Sequence, residues 1–243
     1  MSLPLRFVLV RPRSPGNVGS VARAMKNFGF RDLVLVDPRL HRRQDQEGAE
    51  PVFERESRRM AWDAADVLEG ARLAPDLSGA VSGCGLVLAT APRGSGRHRN
   101  LSPEEAADEV AGHPAPPPAL LFGSESSGLT SEELSRCSGV VVIPTAPDYR
   151  DLNLAQSAVL LAYLVYRASE KPPAPARLEG AAHGQVDAAA EAFVEVARRA
   201  EFLRTGQEPM ARELRALFHR AGLSRRETEF LRSLVRRIGA KMR

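Results

Sequence analysis

Short apolar runs alternate with stretches of helical periodicity through the first two thirds of the chain. The runs at 5–10 and 33–36 predict strands, and the apolar residues that recur over 17–28 predict a helix between them. A strand, a helix and a strand in this order form a βαβ unit, whose strands are parallel. Later runs predict three more strands, at 85–89, 119–122 and 140–143. The pattern therefore predicts an α/β fold in which helices flank a parallel sheet.

Two of the predicted helices begin with a capping box, in which a hydroxyl side chain and a glutamate three residues later exchange hydrogen bonds with the backbone. These pairs are Ser102 with Glu105 and Thr130 with Glu133. The segment at 41–58 is polar and charged, which predicts a surface excursion. These local signals agree with the alternation of strands and helices.

The last third of the chain has a different character. Residues 171–185 are rich in proline, alanine and glycine without periodicity, as is typical of a linker. Beyond it, apolar residues at helical spacing predict three helices, at 186–204, 209–221 and 224–241. We therefore divide the chain into an α/β domain at 1–170, a linker at 171–185 and a helical extension at 186–243. So short a helical unit is marginal alone, so we expect it to pack on the α/β domain or on a second subunit.

Composition narrows the class of protein. The hydrophobic share of 43% and the charged share of 26% are those of an ordinary globular protein. No apolar run approaches the roughly 20 residues of a membrane span, and the N-terminus lacks the pattern of a secretion signal. Cys84 and Cys137 lie far apart, as expected for reduced cysteines. We expect a cytoplasmic protein without a membrane span.

The net charge of +4 is unevenly distributed. Residues 171–243 contain 15 Lys and Arg against 9 Asp and Glu, an excess of six, so the preceding residues have a deficit of two. Such an excess indicates a polyanionic partner, with RNA or DNA as the first candidate. A solvated helical surface in an arginine-rich chain is the alternative that the sequence leaves open.

The stretch at 140–157, VVVIPTAPDYRDLNLAQS, is the strongest candidate for a site. A buried strand runs into a loop with two prolines, and a helix follows Asn153. In open parallel sheets, ligands bind beyond the carboxyl ends of the strands. The loops after Ala89 and Phe122 reach the same edge, and their small residues let the backbone approach a ligand. An ordinary connection with Asn153 as a helix cap is the alternative.

Two other kinds of site are not indicated. Neither of the glycine-rich phosphate-binding motifs follows a strand. The histidines form no ligand-spaced cluster in the sequence, so no metal is expected. They are His41, His98, His113, His183 and His219.

Three segments together resemble the SPOUT superfamily of methyltransferases, in its TrmH/TrmJ branch of RNA ribose 2′-O-methyltransferases. They are PGNVGSVARAMKNFG, LLFGSESSGLTSEEL and VVIPTAPDYRDLNLAQSAVLLAYLVYR. The resemblance covers about residues 5–170, in the order and spacing of the family motifs. The opening VRPRSPGNVGSVARAMKNFGF and the helical extension are similar to the TrmJ subgroup in particular.

This resemblance implies a SPOUT fold with a deep trefoil knot in the C-terminal half of the α/β domain. It also implies a homodimer in which catalytic residues cross to the partner's cofactor site, with S-adenosylmethionine bound in the knotted loops. The substrate implied is tRNA, at cytidine or uridine 32 of the anticodon loop. An rRNA 2′-O-methyltransferase and a non-catalytic RNA-binding protein are the alternatives. The positions matched to cofactor binding are Thr90, Ala91, Gly123, Glu125, Ile143, Leu152 and Asn153.

The resemblance also implies a catalytic set. Its members are Asn17, Arg23, Glu125, Asp151 and Asn153. The family arginine matched by Arg23 is the group proposed to activate the ribose hydroxyl, which is a poor nucleophile until its proton is removed. Because arginine is normally always protonated, Arg23 is either an unusual base or an electrostatic organiser.

Two positions depart from the family pattern. Ser124 stands where close TrmJ relatives commonly have arginine, and Asp151 stands where serine is common. We expect Ser124 to alter the contact with RNA. Asp151 either accepts a proton, binds the cofactor's amino group or repels an RNA phosphate, and the sequence does not choose among these roles.

Overall fold

The computed structural model describes residues 4–40, 55–94, 96–113, 115–170, 180–203 and 208–242. Most of the predicted excursion at 41–58 and most of the predicted linker at 171–185 lie outside these ranges. The described residues form seven strands, β1 (Arg6–Val10), β2 (Asp32–Val36), β3 (Arg72–Ala74), β4 (Leu86–Thr90), β5 (Asn100–Leu101), β6 (Pro118–Phe122) and β7 (Gly139–Val141). They also form ten helices, α1 (Pro15–Asn27), α2 (Arg55–Ala61), α3 (Ala65–Glu69), α4 (Leu77–Val81), α5 (Pro103–Ala111), α6 (Ser131–Ser135), α7 (Leu154–Ser169), α8 (His183–Arg199), α9 (Glu208–Arg220) and α10 (Arg225–Lys241).

All strand pairs are parallel, in the order β3-β2-β1-β6-β4-β7-β5. Arg6 of β1 pairs with Asp32 of β2 on one side and with Ala119 of β6 on the other. The predicted parallel α/β architecture is thus confirmed. The carboxyl ends of the central strands meet at one edge of the sheet, where ligands bind in folds of this class. The trefoil knot stays a prediction.

The sheet is covered on both faces, which explains why its strands are apolar at successive positions. Phe7 and Leu9 of β1 face the larger core with α1, α5 and α7, whereas Val8 and Val10 face the core with α4. The Phe7 ring stacks on Phe122 of β6, with centroids 5.9 Å apart. Both capping boxes predicted from the sequence are present, at Ser102 and Thr130.

The strand predicted over 140–143 ends earlier, at Val141. Ile143 lines a cavity beyond the sheet edge instead. A proline restricts the backbone of the residue before it and has no N–H for a ladder hydrogen bond, so Pro144 ends the strand early. The short strands β3 and β5 were not predicted, because two or three residues give too little alternation to recognise.

The C-terminal helices pack on the α/β body. Helix α8 begins at His183, so residues 183–185 are helical rather than part of a linker. The backbone N–H of His183 donates to the Cys84 carbonyl, and that of Gly184 donates to the Ser82 carbonyl at 2.9 Å. The extension is therefore attached to the turn before β4. The boundaries of the three sequence regions otherwise stay a prediction.

The apolar residues whose spacing predicted the last helix are not all buried. Phe230, Leu234 and Ile238 of α10 are exposed, Phe230 by 65%. Helix α10 instead buries Val235 and Gly239. It packs closely on α8 at Gly239, where an added Cβ would lie 2.8 Å from the Val196 side chain. None of the helices in the described part of the chain is long and apolar enough to span a membrane.

Candidate cofactor and catalytic site

A cavity of about 510 Å³ opens at the carboxyl ends of β4, β6 and β7. Three loops line it, one after each of these strands. The predicted cofactor-binding positions that line it are Thr90, Ala91, Gly123, Glu125, Ile143 and Leu152. Its volume lies within the range of about 300–1,000 Å³ that is typical of small-molecule sites. The sequence prediction that these three loops form one site is therefore matched by their arrangement in space.

Backbone geometry shapes the loops around this cavity. The Thr90 hydroxyl donates to the Leu121 carbonyl at 3.1 Å, which ties the end of β4 to β6. The loop after β6 turns tightly, because the Gly128 N–H donates to the Ser124 carbonyl at 2.8 Å. Gly128 has a φ of +63°, and a Cβ at Gly123 would lie 2.6 Å from the Leu129 nitrogen. Only glycine suits these two positions, which explains the composition of the loop.

The carboxylate of Glu125 lies at the N-terminus of α1. It accepts hydrogen bonds from the backbone N–H groups of Arg13 and Ser14, at 3.0 and 3.1 Å, and from the Asn17 amide at 2.9 Å. Burial acts to raise the pKa of Glu125, but the donors stabilise the ionised form and lower the pKa below its ordinary value. Glu125 is therefore an anion that joins the β6 loop to α1.

Asn153, the remaining predicted cofactor-binding position, is not among the described residues that line the cavity; it caps α7 and contacts Asn17 beside the cavity. Its Oδ1 accepts from the Ala155 N–H at 2.8 Å and from the Gln156 N–H at 3.4 Å, which caps α7 as the alternative reading of the sequence predicted. Its Nδ2 donates to Asn17 Oδ1 at 3.1 Å. Glu125, Asn17 and Asn153 thus form a hydrogen-bonded chain that connects the β6 loop, α1 and α7.

Sequence reasoning missed a second connection at the same edge. Arg11, which follows β1 with a φ of +51°, forms an ion pair with Glu133 and donates to the Gly128 carbonyl at 3.3 Å. The hydrogen bond from Arg11 to Glu133 raises the Arg11 pKa. Burial acts to raise the pKa of Glu133, but the hydrogen bonds from Arg11 and Thr130 and the charge of Arg11 together lower the pKa below its ordinary value. The signal in the sequence was the position of Arg11 at the end of a central strand.

The remaining catalytic candidates, Asp151 and Arg23, lie in different places. Asp151 is exposed and lines the cavity. Arg23 lies on the exposed side of α1 and does not line the cavity formed by the described residues of this chain. Ser124 is buried, and its hydroxyl lies 3.3 Å from that of Ser126. Ser124 also lines the cavity, and its expected effect on the contact with RNA stays a prediction.

The expectation that no histidines cluster is wrong for two of the five. His183, Asp187 and His219 place one potential ligand atom each within 4.8 Å of one another. None of them lines the cavity at the sheet edge. Only the i, i+4 spacing of His183 and Asp187 pointed to this group, because His219 lies on another helix.

The chain has recognisable relatives. The SpoU rRNA Methylase family profile matches residues 4–163. Over 168 residues, 40% are identical to the tRNA (cytidine/uridine/adenosine-2′-O-)-methyltransferase TrmJ of Pseudomonas aeruginosa, covering 66% of this chain and 60% of that protein. Over 247 residues, 32% are identical to the tRNA (cytidine/uridine-2′-O-)-methyltransferase TrmJ of Citrobacter koseri, covering 96% of each. The crystal structure of TrmJ from Z. mobilis ZM4 superposes with a TM-score of 0.80 at 28% identity, covering 96% of this chain and 98% of that one.

Proposed function

Because the chain belongs to the SpoU rRNA Methylase family, we propose that it transfers a methyl group from S-adenosylmethionine to a ribose 2′-hydroxyl of tRNA. The nucleotide proposed is cytidine or uridine 32 of the anticodon loop. The names of the TrmJ relatives include cytidine and uridine, and position 32 rests on the resemblance of the sequence motifs alone. The observation that carries the proposal is the cavity at the sheet edge, with the chain of hydrogen bonds from Glu125 through Asn17 to Asn153 beside it. A tRNA substrate implies that the protein acts in the cytoplasm.

The cavity suits a nucleoside-sized cofactor. It has apolar walls at Ile143 and Leu152, and glycine at position 123 brings the backbone of the β6 loop to its surface. Together with Thr90 and Ala91, these residues would hold S-adenosylmethionine. When bound, that cofactor supplies a methyl group already activated on a sulfonium. The chain must then align the ribose hydroxyl and accept its proton.

The two carboxylates of the site have different proposed roles. Three donors engage Glu125 and lower its pKa, so it is a weak base, and we assign it to positioning Asn17. Asp151 is exposed at the cavity, and no hydrogen bond to its carboxylate is seen from the described residues. An unengaged carboxylate is the better proton acceptor, so Asp151 is the proposed base.

In a homodimer, the second chain would supply Arg23, which does not line the cavity that the described residues of its own chain form. Leu161 and Val165 of α7 are buried in the chain's own core, and Leu160 and Leu164 are partly buried against it. A different stripe of α7 is exposed, formed by Val159, Tyr163 and Tyr166. The two tyrosines lie against Phe28, with ring centroids 5.9 and 5.8 Å apart. We propose that this stripe meets a second copy.

In such a dimer, Arg23 would organise charge at the partner's cavity. The test is to mix Arg23→Ala chains with Gly123→Ala chains, whose cofactor loop is disabled. Each parent should be inactive, and the heterodimer should recover part of the activity, because it contains one cavity with an intact loop and an arginine from the other chain. A heterodimer that forms and stays inactive would contradict the shared site.

The activity is tested by incubating the protein with S-adenosylmethionine and tRNA transcripts, followed by mass-spectrometric mapping of 2′-O-methyl nucleosides. We expect one methyl group at nucleotide 32, and none when that nucleotide is 2′-deoxy. Methylation of rRNA fragments alone would favour the rRNA alternative. Tight RNA binding without transfer to any fragment would favour a non-catalytic RNA-binding protein.

A further inference from the structure

A buried group of imidazole and carboxylate side chains lies between the helical extension and the α/β body. His183 and Asp187 are four residues apart in the first turns of α8, which places them on one side of that helix. His219 comes from the last turn of α9. The two imidazole side chains are each 2% exposed, and their rings stack with centroids 4.4 Å apart.

One nitrogen of this group has no hydrogen-bond partner among the described residues. His183 Nε2 lies 2.6 Å from the Arg136 carbonyl, which can only accept, so the ring proton is on Nε2. His183 Nδ1 therefore carries a lone pair, and it is buried without a partner. The charged group beside His183 Nδ1 is the Asp187 carboxylate, whose Oδ2 lies 3.7 Å from it. Two acceptors face each other at this point, an arrangement that a shared cation would relieve.

We infer that His183 Nδ1, Asp187 and His219 Nε2 form a binding site for a divalent transition-metal ion, with Zn²⁺ as the first candidate. Two imidazoles and one carboxylate are ligands that zinc takes in tetrahedral sites. Metal–ligand distances of about 2.1 Å in a tetrahedron separate neighbouring ligand atoms by about 3.4 Å. Asp187 Oδ2 lies 3.7 Å from His183 Nδ1 and Asp187 Oδ1 lies 3.0 Å from His219 Nε2, so each imidazole nitrogen is close to that distance from one oxygen of the carboxylate.

The surroundings match those of known metal-binding histidines. Such a histidine almost always donates its second ring N–H to a carbonyl or carboxylate, as His183 does to Arg136. With its proton on Nε2 and its Nδ1 unpartnered among the described residues, the His183 ring presents a lone pair, as a ligand must. Burial acts to raise the pKa of Asp187, but the hydrogen bond from His219 and the charges of His183, His219 and Arg136 together lower it. His219 would bind as the tautomer with its proton on Nδ1.

One neighbouring cation, the Arg136 guanidinium, would repel a bound metal ion. The Arg136 guanidinium lies 3.4 Å from Asp187 Oδ2 and 2.9 Å from the Ser78 hydroxyl, and it also pairs with Glu132 at 3.3 Å. Its charge is shared between two carboxylates, so Asp187 retains an oxygen for the metal. Replacing Arg136 by glutamine keeps the backbone carbonyl that accepts from His183 and removes the repulsion, so the affinity for metal should rise about tenfold.

The inferred site has a structural consequence that is independent of methyl transfer. The ion would join α8 to α9 next to the point where the His183 and Gly184 N–H groups attach the extension to the body. Because the unfolded chain has no such site, metal binding should stabilise the folded protein. The site shares no residue with the cavity at the sheet edge.

The test uses the full chain without an affinity tag, stripped of metal by a chelator and then given Zn²⁺ or Co²⁺. His183→Gln and His219→Gln each keep an amide N–H in place of Nε2 and remove an imidazole. His98→Gln is the matched control, because it removes a histidine outside the group. Zinc content after desalting, calorimetric titration and the visible spectrum of bound Co²⁺ are measured for each.

We expect one zinc per chain, a tetrahedral Co²⁺ spectrum and a melting temperature that rises by several degrees with zinc. The two cluster variants should lose affinity by about 100-fold or more, and the control should match the parent. A parent chain that retains no stoichiometric zinc would overturn the inference, as would a His183→Gln chain of unchanged affinity. If the cluster variants fail to fold, the zinc content of the parent and a tighter Arg136→Gln variant still decide the matter.

Discussion

Replacing Asn17 by alanine should weaken the proposed methyl transfer without unfolding the protein. The Asn17 amide donates to Glu125 at 2.9 Å and accepts from Asn153 at 3.1 Å, so it connects two loops of the cavity. A hydrogen bond to a charged group contributes about 1.5–3 kcal/mol, and a neutral one about 0.5–1.5 kcal/mol. Asn17 is only half-buried, and water can replace part of both bonds. We therefore expect a net loss of about 1–2 kcal/mol, or about 5–30-fold in kcat/KM.

Replacing Asn17 by aspartate distinguishes an effect on the site from an effect on the stability of helix α1. Position 17 lies in the first turn of α1, which contains no acidic residue, so Asn17→Asp should stabilise the helix by about 0.3–1 kcal/mol. The same change sets a second carboxylate beside Glu125, and this repulsion amounts to about 1–4 kcal/mol at 4 Å between the limits of water and a protein surface. If the Glu125 contact matters, Asn17→Asp loses more activity than Asn17→Ala.

The assay is methyl transfer to tRNA under single-turnover conditions, together with calorimetric binding of S-adenosylhomocysteine. Asn27→Ala is the matched control, because Asn27 is an exposed asparagine at the other end of α1. Its kcat/KM should stay within twofold of the parent. The reasoning is refuted if Asn17→Ala and Asn17→Asp both transfer methyl groups as fast as this control while they remain folded.

Three further changes test other parts of the structure. Gly123→Ala should destabilise the protein by about 1–3 kcal/mol and abolish cofactor binding, because its Cβ would overlap the next turn of the loop. The control is Gly96→Ala, since no described atom lies within 4 Å of a Cβ added there. It should change neither the melting temperature nor the calorimetric titration of the cofactor. The lowered pKa of Glu125 means that its ionised form stabilises the fold fully above the unfolded pKa of about 4.3, and that this contribution disappears as the pH falls through the folded pKa. Unfolding titrations should therefore show the advantage of the parent over Glu125→Gln shrinking below about pH 4, and a constant difference would contradict it. The Arg236→Ala, Arg237→Ala double variant should lower the salt slope of tRNA binding by about two units if both arginines contact phosphates, and an unchanged slope would exclude both from the RNA interface.

Several features of the fold follow from residues close together in the chain. The central strands and the capping boxes at Ser102 and Thr130 were predicted, and the cap at Asn153 was the alternative interpretation, because each depends on a short window of side chains and backbone. Predictions that depended on the surroundings were less accurate. Strand β7 ends before Ile143, and the exposed face of α10 includes Phe230, because the position of each element in the fold decides which residues are covered.

The sequence by itself determined the parallel α/β architecture and the loops that belong to one sheet edge, since apolar periodicity and turn residues report the local backbone and the side that is buried. Only the tertiary structure decided which side chains meet. Asn17 lies 108 residues from Glu125 and 136 from Asn153, and the three come together because the strand order places β1 beside β6 and carries the β7 loop back to α1. His183 and His219 also meet only in the folded chain, because they lie on two helices whose packing no local sequence pattern predicts. Contacts across such distances depend on how the elements pack, and that packing is a property of the whole chain.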